Sequence, residues 1–188
     1  MSVIAQAGAK GRQLHKFGGS SLADAKCYLR VAGIMTDYAQ AGDMMVVSAA
    51  GSTTNQLISW LQLSQTDRLS AHQVQQALRR YQMDLIASLL PADAADALIA
   101  TFIHDLEHLA GLLDSGITDA VYAEVVGHGE VWSARLMAAV LNHLGVEAAW
   151  LDARAFLRAE RAAQPQVDEG LSYPLLQQLM AQHPNKRL

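Results

Sequence analysis

Cysteine is almost missing: Cys27 is the one thiol in 188 residues. An internal disulfide is excluded, and with it the disulfide-stapled folds of small secreted domains. Positive charge is also scarce. Fourteen lysines and arginines are outnumbered by eighteen acids, for a net charge of −4, and they form no run. That leaves no basic footprint for a nucleic acid. No apolar stretch reaches the roughly 18 residues that a membrane helix needs, and the opening MSVIAQAGAKGRQ lacks the continuous apolar centre of a secretory signal. These absences point to a soluble cytoplasmic protein with neither nucleic acid nor membrane as a partner. Internal repeats, low-complexity tracts and linkers are absent as well. What the chain has is apolar mass: 51% of its residues are hydrophobic, enough for one domain with its own core.

The apolar residues fall into readable periods. Residues 1–12 are small and polar and are expected to be a loose, flexible N-terminus. Gln13 to Phe17 suits a short strand. From Ser21 to Gln40, the residues Leu22, Ala25, Leu29, Ala32 and Met35 keep helical spacing, and Ala41-Gly42-Asp43 is a stop. Met44 to Val47 suits a buried parallel strand. After a loop from Gly51 to Asn55, a helix begins near Gln56. Val74, Leu78, Tyr81, Leu85 and Leu89 share one helical face; beyond Pro91, so do Leu98, Phe102, Leu106, Leu109 and Leu113. These two should form an antiparallel hairpin. Asp119 to Val126 reads as a helix interrupted by Gly127-His128-Gly129, with a further helix from about Glu130 to Leu144 that Gly145 ends. Val146 to Leu151 reads as a strand, Ala162 to Gly170 as a loop, and Pro174 to Gln182 as a helix with proline in its first turn. The order predicts an α/β fold, a mostly parallel sheet sandwiched by helices with a helical hairpin inserted. The close on a polar turn and Leu188 reads as a truncated sheet, residues 13–188 being the N-terminal part of a larger catalytic domain.

Three polar stretches punctuate these elements. In His15-Lys16-Phe17-Gly18-Gly19-Ser20-Ser21, a lysine and two glycines close a strand and two serines open a helix. Glycines lack a Cβ, so their N–H groups can approach an anion closely. A helix N-terminus adds free N–H groups and a positive dipole end, and Lys16 adds a full charge. The set suits the phosphates of a nucleotide. It equally suits a plain turn with Ser21 as helix cap and Asp24 in the first turn. It is not the Walker A order, in which the lysine follows the glycines. The second stretch, Val46 to Leu57, carries Ser48, Ser52, Thr53, Thr54 and Asn55 beyond a strand end, where ligands of open α/β sheets bind; a capped polar loop would look the same. The third, Val126 to Leu136, sets Glu130 beside glycines at an expected helix start. The dipole alone favours a carboxylate there, and such a group could also hold a substrate amine.

In this order, Lys-Phe-Gly-Gly-Ser-Ser, Val-Ser-Ala…Thr-Asn…Leu and Gly-x-Gly-Glu-x-x-Ser-Ala resemble the aspartate kinases of the amino acid kinase family. Trp150 to Leu157, with its Asp-Ala-Arg, resembles that family's next block. The resemblance runs from about Gln13 onward. It implies ATP-dependent phosphorylation of L-aspartate to 4-phospho-L-aspartate, the first step towards lysine, threonine and methionine, with ATP and Mg²⁺ as cofactors. It places Lys16, Gly18, Gly19 and Ser20 around the ATP phosphates, with Lys16 catalytic, and Ser48, Thr54 and Glu130 on aspartate. No protein metal ligand is implied. The likeness is greatest to the bifunctional members, whose homoserine dehydrogenase half would use NADP, and whose whole protein would be a homo-oligomer. The family has arginine after the motif glutamate; here it is Val131, which implies a lost or rerouted ion pair. The family's later Gly-rich segment, its Ser-Asp pair and its carboxylate-binding arginine lie beyond Leu188. The 188 residues alone are therefore expected to be inactive or nearly so.

Two alternatives stand beside this reading. One is another amino acid kinase relative, acting on glutamate, acetylglutamate or carbamate; the other is a non-catalytic helical interaction fragment. The Lys-Phe-Gly-Gly-Ser-Ser form and the helical insertion from about Asp67 to Ser115 favour aspartate. His104 and His108 have the spacing of a metal pair, but without further ligands they read as a solvated helix face. His128 reads as a turn residue or as part of the aspartate pocket, and Arg154 as a surface charge or a support for the site. Trp60, Trp132 and Trp150 read as core or interface, and Cys27 as a small core residue.

Overall fold

The computed structural model describes residues 11–160 and 165–188. The loose segment expected over 1–12 lies outside the described residues apart from Gly11 and Arg12. Two short strands, β1 (Leu14–Phe17) and β2 (Met44–Val47), pair in parallel with Leu14 opposite Met44 and Phe17 opposite Val47. A parallel pair needs a crossover, and helix α1 (Ala25–Tyr38) supplies it. Phe17, Met45 and Val47 pack against the core, whereas Leu14 and Val46 are 66% and 46% exposed. β2 is therefore covered on one face and open on the other, where a strand buried on both faces was expected.

The chain end extends this ladder. The Leu188 N–H donates to the Asp43 carbonyl at 3.1 Å, and the Met45 N–H donates to the Leu188 carbonyl. On its other side the Arg187 N–H donates to the Glu147 carbonyl at 2.9 Å, and the Ala149 N–H to the Arg187 carbonyl at 2.8 Å. The strand expected over 146–151 is reduced to this one parallel bridge, Ala148 with Arg187. On its opposite edge Ala148 is held by the Asn142 side chain through both its N–H (3.1 Å) and its carbonyl (3.0 Å), which closes that edge to a further strand.

α1 starts later than its apolar spacing suggests. Gly19–Leu22 is a 3₁₀ turn, and Asp24, not Ser21, caps the helix by accepting the Cys27 N–H at 2.8 Å. The Ser21 N–H is already donated to the Gly18 carbonyl. This start turns Tyr28, Val31, Ala32 and Met35 inward and leaves Leu29 at the surface. Helix α2 (Thr53–Thr66) then leads to the expected hairpin, α3 (Arg68–Leu89) and α4 (Ala92–Asp114), turning at Pro91. Asp67 caps α3 through the N–H groups of Leu69 and Ser70.

Helix α5 (Asp119–His143) runs unbroken through Gly127-His128-Gly129, against the expected interruption. Two glycines cost a helix about 1 kcal/mol each in propensity. Burial of Val125, Trp132, Leu136, Met137 and Val140 from the same helix outweighs that cost. His128 joins in: its Nδ1–H donates to the Glu124 carbonyl at 2.7 Å. Gly145, with φ +79°, ends α5 as expected. A short helix α6 (Ala153–Phe156) follows. Helix α7 (Glu169–Ala181) begins five residues before Pro174, because Asp168 caps it through the Leu171 N–H at 2.9 Å. The expected loop over 162–170 lies in part outside the described residues, and its end is already helix α7. No helix among the described residues is long and apolar enough to cross a membrane.

Candidate functional site

The three polar stretches, far apart in sequence, meet around Ala49. β1 and β2 end side by side, and the Ser48 N–H donates to the Phe17 carbonyl at 3.1 Å. The chain leaving β2 thus runs along the glycine turn leaving β1, and the Gly51 N–H donates to the Gly19 carbonyl at 3.2 Å. A Cβ on Gly19 would stand 2.8 Å from the Ala49 carbonyl oxygen and 3.9 Å from the Ser48 Oγ. From the other side, a Cβ on Gly129 would stand 2.7 Å from the Ala49 Cβ and 3.2 Å from the Thr53 Cγ2. Gly19 and Gly129 are both set by close approach to this one loop. They clamp Ser48–Thr53 between β1 and α5.

Lys16 extends over the turn. Its Nζ is 3.7 Å from the position a Gly18 Cβ would take, and the side chain is exposed. Among the described residues no carboxylate lies within ion-pair reach of it. An ammonium without a partner beside a glycine turn favours an anion. The helix contribution comes from a different element than expected. At the N-terminus of α1 the Asp24 carboxylate is already in place, its pKa lowered by the N–H of Cys27. A second negative charge is not welcome there. The N-terminus of α2 instead opens next to Gly19 and Gly51, and its cap residue Ser52 makes no side-chain capping bond. Ser20 is exposed; Ser48, just past β2, and Thr54, in the first turn of α2, are half-buried.

Glu130 sits in the middle of α5, not at a helix start, so the dipole argument for it fails. It is half-buried and lines a groove of about 440 Å³ between β2, α5 and residues 148–156. Val46, Val47, Glu124, Asp152 and Arg154 also line it, whereas Lys16, Ser48 and Thr54 do not. Lys16, Gly18 and Gly19 stand on the turn that meets Ser48, and Thr54 follows on the same loop's helix. Glu130 faces the neighbouring groove, one residue beyond the Gly129 contact that joins the two.

Arg154 is a structural clasp on that groove. It donates to Asp152 at 2.7 Å and to Glu124 at 2.8 Å. Hydrogen bonding from Arg154 holds the Asp152 carboxyl below its usual range. His128 is buried and stacks obliquely on Trp132 with ring centres 5.9 Å apart; it is neither a turn residue nor on the groove. Trp60 and Trp132 are core, and Trp150, 37% exposed, lies under the Arg135 guanidinium. Cys27 is half-buried. His104 and His108 lie on the exposed face of α4. Among the described residues there is no group of three or more histidines, cysteines or carboxylates that could hold a metal ion.

Ala49 and Gln82 escaped the sequence reading. Gln82, buried and bonded to Thr53, carried a signal, being a polar residue on the apolar face of α3 between Leu78 and Leu85. Ala49 carried none, since one alanine in a loop has no period.

A glycine turn with a free lysine at the end of a parallel strand, clamped against a second strand's loop, defines a class of protein. The sequence profile of the amino acid kinase family matches residues 11–186, and the chain belongs to that family. Among its relatives, the bifunctional aspartokinase/homoserine dehydrogenase 2 of Escherichia coli (strain K12) is 84% identical over 188 residues, covering 100% of this chain and 23% of that protein. The crystal structure of E. coli aspartokinase III in complex with aspartate and ADP (R-state) superposes with a TM-score of 0.81 at 24% identity, covering 94% of this chain and 40% of that one. The same enzyme in complex with lysine and aspartate (T-state) gives 0.79 at 25% identity, covering 91% and 38%. The chain spans less than a quarter of the length of the first of these relatives. The α/β architecture with parallel strands agrees with the expected fold class.

Proposed function

We propose that this chain forms the N-terminal part of an aspartate kinase catalytic domain, which transfers the γ-phosphoryl group of ATP to the β-carboxylate of L-aspartate. The products are 4-phospho-L-aspartate and ADP. The observation that carries the reading is the clamp at Ala49, which brings the glycine turn after Lys16 against Ser48, Ala49 and Gly51. Its support in kind is the 84% identity to a bifunctional aspartokinase and the ADP and aspartate bound by the aspartokinase III that shares its fold.

The attacking group is a carboxylate, already ionised at neutral pH, so the reaction needs no general base. A carboxylate oxygen attacks phosphorus, the bond to the bridging oxygen of ADP breaks, and ADP leaves with its electrons. Catalysis is then positioning and charge neutralisation. Lys16 sits where it can neutralise charge on the transferred group. Gly18 and Gly19 let phosphate oxygens come close to the backbone, with Ser20 beside them. Ser48 and Thr54 bind aspartate from the loop side, and Glu130 takes its amino group as an ion pair from the groove side, with aspartate lying across the Gly129 contact where the two meet. Mg²⁺, arriving with ATP, would add to the charge neutralisation on the phosphates; among the described residues no group of three or more histidines, cysteines or carboxylates is placed to hold it. The whole protein, in this reading, continues into the rest of the kinase, carries a homoserine dehydrogenase half that uses NADP, is a cytoplasmic homo-oligomer, and serves lysine, threonine and methionine biosynthesis.

The test is trapping of aspartyl phosphate as its hydroxamate. The protein is this chain joined to the remainder of the E. coli relative, supplied with ATP, Mg²⁺ and L-aspartate. Hydroxamate that disappears on Lys16→Ala supports the reading. Product with glutamate, acetylglutamate or carbamate but not with aspartate overturns it. The isolated 188-residue chain should give none; turnover by it would refute the claim that the later part of the kinase is required.

A further inference from the structure

Two adjacent residues of the hairpin, Tyr81 and Gln82, touch both ligand loops at once. The Tyr81 hydroxyl donates to the Ala23 carbonyl at 3.0 Å, at the end of the glycine turn that starts from Lys16. The same oxygen is 2.9 Å from the place a Gly51 Cβ would occupy, so it fills the space that Gly51, at φ +52°, leaves open. Burial, and then the nearby Asp24 charge, raise the Tyr81 pKa and keep this hydroxyl a donor. One residue on, the Gln82 Nε2 donates to the Thr53 Oγ1 at 2.9 Å, with both side chains buried. Thr53 is the first residue of α2 and a member of the clamped loop.

Packing alone does not ask for these groups. The neighbouring buried positions of α3 are Leu78, Leu85, Ile86 and Leu89. A buried glutamine among leucines costs stability unless its amide is bonded, and the bond it makes goes to the loop, not within the hairpin. We infer that Tyr81 and Gln82 are positioning residues for phosphoryl transfer: α3 holds the Gly18–Asp24 turn and the Ser48–Thr53 loop at a fixed separation. Such a brace sets where the phosphate-binding turn stands relative to the aspartate-binding loop. An error of about 1 Å between reacting groups can cost roughly 100-fold in rate. The catalytic part of this inference rests on the kinase reading above; the mechanical part does not.

Two measurements on Tyr81→Phe and Gln82→Met separate them, with Arg80→Ala, on the exposed side of the same turn, as the control. The first is amide hydrogen exchange in the 188-residue chain, read at Gly51, whose N–H joins the two loops. The brace predicts exchange at Gly51 faster by roughly fivefold or more, the worth of one neutral hydrogen bond, with amides of α4 unchanged. The second is steady-state kinetics of the joined protein described above. The expected result is a kcat lowered roughly 10- to 100-fold with KM values moved by less than about threefold, the mark of lost alignment rather than lost binding. Arg80→Ala should change neither. Gly51 exchange equal to that of the unsubstituted chain overturns the brace. So does a kcat loss in step with a general rise in exchange across α4, which is mere destabilisation. If the unsubstituted joined protein makes no aspartyl phosphate, the kinase reading fails and the exchange data still decide whether α3 couples the loops.

Discussion

Gly127 and Gly129, two residues apart on α5, should respond to alanine with opposite signs. In a free helix Gly→Ala gains about 0.5–1 kcal/mol, because alanine has less backbone freedom to lose. At Gly127 a new Cβ meets nothing within 4 Å, so Gly127→Ala should gain about that amount. At Gly129 it meets the Ala49 Cβ at 2.7 Å, the Thr53 Cγ2 at 3.2 Å and the Leu57 Cδ1 at 3.6 Å. Carbon atoms attract best from about 3.5 Å outward, so Ala49 must retreat by about 0.8 Å. Ala49 is held from the other side by Gly19, which leaves its carbonyl no room to retreat. Overpacking of this kind costs about 1–3 kcal/mol, and with Ala49 pinned on both sides the cost lies above the propensity gain. Gly129→Ala should therefore destabilise, by up to about 2.5 kcal/mol net. Urea unfolding of the 188-residue chain measures both variants. In the joined protein, Gly129→Ala should also lower kcat, since the displaced loop carries Ser48. Equal stabilisation by the two substitutions would falsify the claim that Gly129 is set by contact with Ala49.

Other outcomes follow from the same geometry. Lys16→Ala should lower phosphoryl transfer by about 100- to 1,000-fold. It should leave the urea midpoint unmoved, because the side chain is exposed and without an ion-pair partner among the described residues. Asp43 is buried. Burial alone would raise its pKa, but the N–H groups of Gln13 and Gln40, at 2.8 and 2.7 Å, lower it in balance, helped by His15. A carboxyl with a folded pKa below its unfolded value stabilises above the unfolded pKa of about 3.9 and loses that contribution as the pH falls through the folded one. Acid unfolding should therefore be shallower below about pH 4 in Asp43→Asn than in the unsubstituted chain, and equal slopes would refute the assignment. Asp105 accepts from Arg135 and, at 3.1 Å, from the Trp132 Nε1, joining α4 to α5. Asp105→Ala should cost about 1–3 kcal/mol in urea unfolding, chiefly by leaving the partly buried Arg135 unpaired.

Much of this was legible from local rules. The strands ending at Phe17 and Val47, the hairpin about Pro91 and the stop at Gly145 depend on nearby residues, and the structure places them where the spacing does. The misreadings share a cause, which is that a distant partner overrode a local preference. Glycines flanking His128 look like a helix break until Ala49 is set against one of them and the helix around them is buried. Pro174 looks like a helix start until Asp168 caps the helix earlier. Glu130 was misplaced with the glycine break, and its move to mid-helix turns it to the groove.

By itself the sequence determined the chemistry on offer: one lysine before two glycines, hydroxyls after a second strand, one acid after a second glycine pair, and no cysteine framework or basic patch. Composition and short-range spacing carry that information because side-chain chemistry and turn formation are local. Only the tertiary structure decided which of these groups meet. It made Ala49 the common contact, gave the open helix end to α2 rather than α1, and brought Tyr81 and Gln82 against both loops. Such contacts join residues dozens of positions apart. They are fixed by how whole helices pack, to a few tenths of an ångström, and no period in the chain encodes them.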